Sequence, residues 1–241
     1  MKLVRKLLKP FKNTPIHPQW LSYRDNILKK WLGETAPQEN MLDIGCFDRW
    51  PERSLPSGCS YVGLDFYDTA TNMYGSQVNC YGDAQALPFE KQSFDKVLMF
   101  DVLEHIPDIH RTLTEVANVI VPNGELLIQI PFLYPIHDAP YDYRRPTRFG
   151  LTKLLQEYGF DIVELSQRGN PIETACLLNN IALCSTLLSS LKTKWLPLAV
   201  LAAPIIALLC ILNNLIGWLA SQFKNSETLM PFSYQLRFRK C

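Results

Sequence analysis

The sequence lacks an excess of charge of either sign. It has 24 lysines and arginines against 23 aspartates and glutamates, giving a formal net charge of +1 over 241 residues. Such a balance produces no field over the whole chain, so we expect no nucleic-acid partner. A chain of this length can bury a substantial core, which suits one α/β domain with an added element.

Paired cysteines are also absent. The seven cysteines are odd in number, and no two of them form a CxxC pair. This spacing argues against a disulfide framework and against a zinc site, so the sequence predicts no metal and a reducing, cytoplasmic-side location. No apolar stretch with a cleavage site follows the basic N-terminus, and we therefore expect no secretory signal.

The middle of the chain, residues 41–168, alternates short apolar runs with helical patterns. Strand-like runs cover Met41–Ile44, Tyr61–Leu64, Lys96–Phe100, Glu125–Ile130 and Asp161–Leu165, and helical periodicity covers Ile109–Val121 and Thr152–Tyr158. Strands that alternate with helices predict an α/β fold with a doubly wound, mostly parallel sheet.

The flanking regions differ from this core. Residues 1–40 form a basic N-terminal segment in which we predict one helix, Trp20–Leu32. Residues 169–227 are apolar and read as a helical insertion. Residues 228–241 contain SYQLRFRK, which alternates like a strand.

The stretch MLDIGCFDRW lacks the further glycines of a nucleotide-binding loop. Met41 to Gly45 reads as a buried strand that enters a tight glycine turn, but Phe47 and Arg49 stand where further glycines are usual. The missing GxGxxG disfavours a nicotinamide-dependent oxidoreductase. The strand YVGLDFYD ends in Asp65, twenty residues after Gly45. At this spacing a carboxylate can accept hydrogen bonds from ribose hydroxyls.

The stretch GDAQALPFEKQSFDKVLMFDVLEHIPDIHRTLTEVANVIVPNGELLIQIP resembles the class I S-adenosylmethionine-dependent methyltransferase family, of the methyltransferase type 11 kind. The resemblance covers roughly Met41 to Arg168 and continues more faintly in the C-terminal strand. It implies a seven-stranded Rossmann-like sheet whose last strand follows the apolar insertion. It also implies S-adenosyl-L-methionine as the cofactor.

The resemblance further implies which residues hold the donor. Asp43 would meet its ammonium group, Gly45 would form the tight turn, and Asp65 would bind the ribose. Asp83 and Ala84 would meet the adenine. Asp101, Val102 and His105 would lie near the methyl donor, and Pro122-Asn123-Gly124 would form the turn before the fifth strand.

An acceptor site is predicted in FLYPIHDAPYDYRRPTRFG, which follows the fifth strand. Open α/β sheets bind ligands at such carboxyl ends, and related bacterial methyltransferases of glycan pathways carry a similar His-Asp-x-Pro-x-Asp-Tyr segment. We predict His137 as the catalytic base, oriented by Asp138 or Asp142. His105 would line the acceptor pocket or hydrogen-bond within the cofactor lid. The predicted substrate contacts are Tyr141, Asp142, Tyr143, Arg144 and Arg145, with one of the arginines facing an anionic group. Alternatively, these tyrosine and arginine side chains only hold the loop against the domain and do not contact a substrate.

Two functions from different classes follow. The first is an S-adenosylmethionine-dependent methyltransferase that acts on a small molecule, such as a glycan or a lipid-linked acceptor. The alternative is a methyltransferase-like, non-catalytic binding or scaffold protein whose altered loop no longer holds the donor.

A long uncharged tract predicts contact with a membrane surface. Trp195 to Phe223 is 29 residues without a charge, more than the roughly 20 needed to span a bilayer. Thr174–Leu191 is also uncharged, and Lys192 and Lys194 lie between the two. Because the chain must return to the sheet, we expect a helical hairpin in or on one leaflet, on the cytoplasmic side. Pro197, Pro204, Asn213 and Asn214 favour an interfacial or re-entrant element, and the basic MKLVRKLLKPFK would add attraction to anionic lipid. A helical cap on the sheet and a homodimer interface are the alternatives.

Overall fold

A computed structural model describes residues 9–24, 27–75, 78–223 and 229–241. Most of the basic start, residues 1–8, lies outside the described residues, so its predicted attraction to lipid stays a prediction. The chain divides into two compact units. The larger unit contains residues 27–132, 136–166 and 233–241, and the smaller contains residues 9–24, 133–135 and most of 167–232.

The larger unit is built on a seven-stranded sheet. Its elements are α1 (Ile27–Gly33), β1 (Asn40–Ile44), β2 (Ser60–Asp65), β3 (Cys80–Tyr81), β4 (Phe94–Phe100), α2 (Ile109–Val119), β5 (Ile120–Pro131), α3 (Arg148–Gln156), β6 (Phe160–Arg168) and β7 (Ser233–Lys240). The strand order is β3-β2-β1-β4-β5-β7-β6, in which β1 to β5 pair in parallel and β7 runs antiparallel to β5. The predicted doubly wound, Rossmann-like sheet with a final strand after the insertion is confirmed.

Successive residues of the central strands enter two different hydrophobic clusters. Leu42 and Ile44 of β1 belong to a cluster that includes buried residues of α2 and α3. Met41 belongs to a cluster formed with Leu28 and Trp31 of α1. Because side chains alternate along a strand, helices cover both faces of the sheet, which explains why the strands read as continuous apolar runs.

The predicted helix Trp20–Leu32 is wrong as a single element. The structure has a 3-10 helix at Trp20–Tyr23 and then α1, which begins at Ile27. Arg24 has an extended backbone, with ψ of 159°, and this breaks the helical path. The two halves also pack in different clusters, since Leu21 lies with Leu177 and Phe232 of the smaller unit.

The smaller unit consists mainly of two helices, α4 (Pro171–Ser190) and α5 (Leu196–Ser221). A capping box closes the start of α4, where Asn170 and Glu173 exchange side-chain to backbone hydrogen bonds. Residues 191–195 join the helices and contain Lys192 and Lys194, as the predicted hairpin requires. Pro204 lies inside α5, which is 26 residues long and is not ended by this proline.

Two fully buried asparagines connect the helices. Asn180 of α4 donates to Asn214 Oδ1 of α5 at 2.9 Å, and both side chains are 0% exposed. Asn214 donates in turn to the carbonyls of Pro15 and His17, at 2.7 and 2.9 Å. These hydrogen bonds set the register of the two helices and hold residues 15–17 against them.

Much of α5 exposes apolar side chains. Both helices are long and apolar enough to cross a membrane by length and composition, with mean hydropathies of 1.3 and 2.4. Helices of soluble cores pass the same test, but those are mostly buried, whereas only 17% and 11% of these two windows are. The exposed face includes Leu198, Leu201, Ile205, Leu208, Leu212, Leu215 and Leu219.

Candidate active site

The loop after β1 requires its glycine. Gly45 has a φ of +73°, and its N–H donates to Leu64 O at 2.8 Å. A Cβ on Gly45 would lie 2.4 Å from Cγ2 of Val102, which follows β4. The tight turn that follows β1 therefore depends on both the left-handed backbone of Gly45 and its lack of a side chain.

The two residues that replace further glycines keep a glycine-like backbone. Phe47 has a φ of 43° and Arg49 a φ of 56°. A left-handed conformation costs roughly 1–2 kcal/mol for a residue with a side chain. Contacts of Arg49 offset this cost, since its guanidinium pairs with Glu52 at 2.8 Å and lies 5.4 Å from the ring centre of Tyr61. The Phe47 side chain is 46% exposed. The altered loop thus follows the path that glycines would permit.

Two buried carboxylates lie at the ends of β1 and β2. Asp43 accepts a hydrogen bond from the Tyr61 hydroxyl at 2.5 Å, and burial raises the pKa of its carboxyl to about 7. Asp65 accepts from the backbone N–H groups of Phe47 and Phe66, at 3.1 and 2.8 Å. Burial raises the pKa of Asp65 although these hydrogen bonds oppose the change. Asp65 also ties the altered loop to the end of β2.

The remaining predicted donor residues follow β3 and β4. Asp83 accepts from the backbone and the side chain of Gln85, at 2.8 and 3.1 Å, and Ala84 packs against the larger cluster. Asp101 has a φ of 56° and accepts from Gln129 Nε2 at 2.6 Å. Together with the turn at Gly45, carboxylates at the ends of neighbouring strands fit a cofactor that carries an ammonium, a ribose and an adenine amino group. The roles of the single residues stay predictions.

A second cluster joins the loops after β4 and β5. His105 and His137 meet edge to face, with ring centres 4.8 Å apart. Between them lies Glu104, which is 0% exposed. Its Oε1 is 3.7 Å from His105 Nε2 and 3.6 Å from His137 Nε2.

Asp142 is the carboxylate that the structure places beside the predicted base. Its Oδ2 accepts from the His137 backbone N–H at 2.9 Å and lies 3.4 Å from His137 Nδ1. Burial alone would raise the pKa of Asp142, but hydrogen bonds from Arg145 and from the His137 backbone hold it below its usual range. Orientation by Asp138, which has a φ of 49°, stays a prediction.

The two arginines hold the loop in place. Arg144 donates to three backbone carbonyls, those of Leu103 and Pro107 at 2.9 Å and that of Ile106. Arg145 makes a two-pronged pair with Asp142. These contacts give both guanidinium groups a positioning role, and binding of an anionic substrate group by either stays a prediction. Tyr141 and Tyr143 are 59% and 47% exposed, so both remain accessible to an acceptor.

Sequence reasoning missed two residues of the site. Glu104 is adjacent to His105 in the motif LEHI, and that adjacency at a strand end was the available signal. Tyr61 reaches Asp43 because Met41 pairs with Tyr61 and Asp43 pairs with Gly63, which puts both side chains on one face. Without the register, nothing in the sequence links them.

The comparisons with known proteins agree with this geometry. Residues 42–128 match the protein-family model described as a methyltransferase domain. Sterol 24-C-methyltransferase of Schizosaccharomyces pombe is 30% identical over 120 residues, which are 45% of this chain and 30% of that protein. An O-methyltransferase of Penicillium expansum is 25% identical over 164 residues, 59% of each protein. The chain thus spans less than two thirds of the length of these curated relatives.

A solved structure supports the fold over most of the chain. The structure, described as a sarcosine dimethylglycine methyltransferase, comes from Galdieria sulphuraria and matches with a TM-score of 0.55 and 18% identity. The match covers 92% of this chain and 84% of that one. At this identity the likeness establishes the fold alone.

Proposed function

We propose that this chain, which carries a class I S-adenosylmethionine-dependent methyltransferase domain over residues 42–128, transfers a methyl group to a small-molecule acceptor. The observation that carries the proposal is the altered loop, in which Phe47 and Arg49 keep left-handed backbones beside Gly45. A loop that had lost its binding role would have no reason to retain this conformation in bulky residues. This supports a working enzyme over a non-catalytic scaffold.

The donor side of the site uses the carboxylates at the strand ends. Asp65 would accept hydrogen bonds from the ribose hydroxyls and Asp83 from the adenine amino group. Asp43, with Tyr61 behind it, would place negative charge towards the donor's ammonium group. When bound, S-adenosylmethionine supplies an activated methyl group.

The acceptor side uses the loop after β5. The exposed rings of Tyr141 and Tyr143 would contact the acceptor, while Arg144 and Arg145 keep the loop in position. For a hydroxyl acceptor, His137 Nε2 would remove the proton, and Asp142 would orient the ring. His105 and Glu104 lie against the same nitrogen and would complete the polar end of the pocket.

The proposed acceptor is membrane-associated, that is, lipid-linked or itself a lipid. The exposed apolar face of α5 supports this proposal, because a helix in lipid hides such side chains. A relative named for action on a sterol is in line with it. Glycans attached to lipid would meet the same requirement. We propose that the enzyme works at the cytoplasmic face of a membrane.

Two variants separate donor binding from methyl transfer. Asp65→Ala should weaken donor binding by about 1.5–3 kcal/mol, because charge-assisted hydrogen bonds to the ribose are lost. His137→Ala should leave donor affinity unchanged and lower the rate of transfer. Calorimetry with S-adenosylmethionine measures the first effect. Release of S-adenosylhomocysteine in the presence of a membrane-lipid extract measures the second.

Asp68→Ala is the matched control, since Asp68 is an exposed carboxylate three residues beyond Asp65. It should bind the donor as the wild type does. Equal affinity of Asp65→Ala and the wild type would contradict the placement of the ribose. A folded wild-type protein that binds no donor would favour the scaffold function.

A further inference from the structure

Glu104 is a buried carboxylate without a hydrogen-bonding partner among the described residues. Its side chain is 0% exposed, and neither Oε1 nor Oε2 accepts a hydrogen bond. Burying a carboxylate in this state is costly unless a positive charge compensates it. The ring nitrogens His105 Nε2 and His137 Nε2 lie 3.7 and 3.6 Å from Oε1, which is beyond hydrogen-bonding distance.

Both histidines present the same ring nitrogen to Glu104. His105 Nδ1 lies 2.6 Å from the carbonyl oxygen of Tyr141. A carbonyl can only accept, so Nδ1 carries the proton and Nε2 has a free lone pair in the neutral ring. A ring nitrogen held by a carbonyl, with the other nitrogen directed to a shared point, is the arrangement of metal-bound histidine.

The second histidine has both a carboxylate and a guanidinium on its far side. His137 Nδ1 is 3.4 Å from Asp142 Oδ2 and also 3.4 Å from Nη2 of Arg145, the partner of that carboxylate. A metal ion bound at Nε2 requires the neutral ring with its proton on Nδ1, and Asp142 Oδ2 is close enough to receive that proton's hydrogen bond once Arg145 yields its place.

We propose that Glu104, His105 and His137 bind one divalent transition-metal ion of the zinc type. Two imidazole nitrogens and one carboxylate are a donor set that such ions prefer. The three ligand atoms lie within 4.8 Å of one another. An ion about 2.0–2.2 Å from each atom would hold them about 3.3 Å apart, so only small side-chain shifts are needed.

The loops after β4 and β5 fix the site from both sides. Arg144 donates to the carbonyls on either side of the Glu104-His105 pair, and the Tyr143 N–H donates to Glu104 O at 2.8 Å. Three protein ligands leave a coordination position open, as in catalytic zinc sites. In the loaded protein His137 would be a ligand rather than the base, and an acceptor hydroxyl bound to the ion would release its proton to water.

Metal binding is tested apart from methyl transfer. The full chain, without a polyhistidine tag, is freed of metal with EDTA and titrated with ZnCl₂ by calorimetry. We expect one ion whose affinity falls at least about 100-fold in His105→Ala and in Glu104→Gln. The control is His110→Ala, because His110 lies on α2 and bonds the Tyr158 hydroxyl; it should bind zinc as the wild type does.

Cobalt(II) gives a second measurement on the same samples. Its visible d–d bands should report nitrogen and oxygen ligands in the wild type, without a thiolate charge-transfer band from the free cysteines. Equal zinc uptake by the wild type, His105→Ala and Glu104→Gln would overturn the proposal. If Glu104→Gln does not fold, His105→Ala decides alone, since its side chain is 24% exposed. Donor affinity, measured in parallel, shows separately whether the proposed function fails.

Discussion

The buried carboxyl of Asp43 should make the free energy of unfolding depend on pH. Burial raises the pKa of its carboxyl to about 7, whereas an unfolded aspartate titrates near 3.9. Between these values the folded chain holds a proton that the unfolded chain has released. The contribution of Asp43 to the free energy of unfolding is therefore fully present below a pH of about 4. It falls as the pH rises and is gone above a pH of about 7.

Asp43→Asn should remove this decline. Between pH 5 and pH 8 the free energy of unfolding of the wild type should fall by about 2–3 kcal/mol more than that of Asp43→Asn. Urea unfolding at the two pH values measures the difference, and Asp68→Asn serves as the control. Parallel pH profiles of wild type and Asp43→Asn would show that Asp43 is already ionised in the folded protein.

Residues at strand ends could be predicted, but their surroundings could not. Asp43, Asp65 and Asp101 end or follow apolar runs, and the carboxyl ends of parallel strands share one edge of a sheet. The isolation of Glu104 depends on which side chains pack over it. Its position beside His137 depends on a loop residue 33 positions further along the chain. The local sequence pattern predicts neither the isolation of Glu104 nor its closeness to His137.

At the scale of elements, the asparagine bridge should determine how firmly the hairpin closes. Asn214→Ala removes three hydrogen bonds, namely the one from Asn180 and those to the carbonyls of Pro15 and His17. We expect a loss of about 1–3 kcal/mol, seen as hydrogen exchange at least about 5-fold faster in residues 9–24 and in α4. Asn118→Ala, in a partly exposed position of α2, is the control. Unchanged exchange would mean that apolar packing alone closes the hairpin.

The periodicity predicted the presence of the core elements better than their bounds. The second core helix is Arg148–Gln156 rather than Thr152–Tyr158, and Pro122-Asn123-Gly124 lies within β5 rather than before it. All six predicted strands appear, and most of them are buried apolar runs, whereas β6 lies at the edge of the sheet with Ile162 and Val163 exposed. The Trp20–Leu32 helix failed because Leu21 and Leu28 pack into different clusters, and Arg24 breaks the path between them. Helical periodicity records that residues share a face, but it does not record to which core that face belongs.

At the scale of the whole molecule, the apolar hairpin should determine where the protein resides. We expect the full chain to sediment with vesicles of anionic lipid and to stay bound after a high-salt wash. Lys192 and Lys194 would lie at headgroup level, and Lys194 already covers the Trp195 ring at 5.7 Å. Leu201→Glu should lower vesicle binding by about 100-fold, because a carboxylate in lipid costs on the order of 2.5–3.5 kcal/mol.

Phe149→Glu is the matched control, since Phe149 and Leu201 are both 72% exposed. It should bind vesicles as the wild type does. Recovery of the wild type in the soluble fraction, without detergent and as a single species, would contradict membrane contact. A soluble dimer that Leu201→Glu converts to a monomer would identify α5 as a subunit interface.

The position of β7 in the chain has a consequence for the order of assembly during synthesis. β7 lies between β5 and β6 in the sheet, yet it is translated after α4 and α5. At about 5–20 residues per second, ribosomes need roughly 3–12 s to pass from Pro171 to Ser233. The hairpin can therefore settle in lipid before Ser233 pairs with Pro131, the end of β5 from which the His137 loop departs. On the proposed membrane contact, a nascent chain would meet lipid first and complete the proposed acceptor site afterwards.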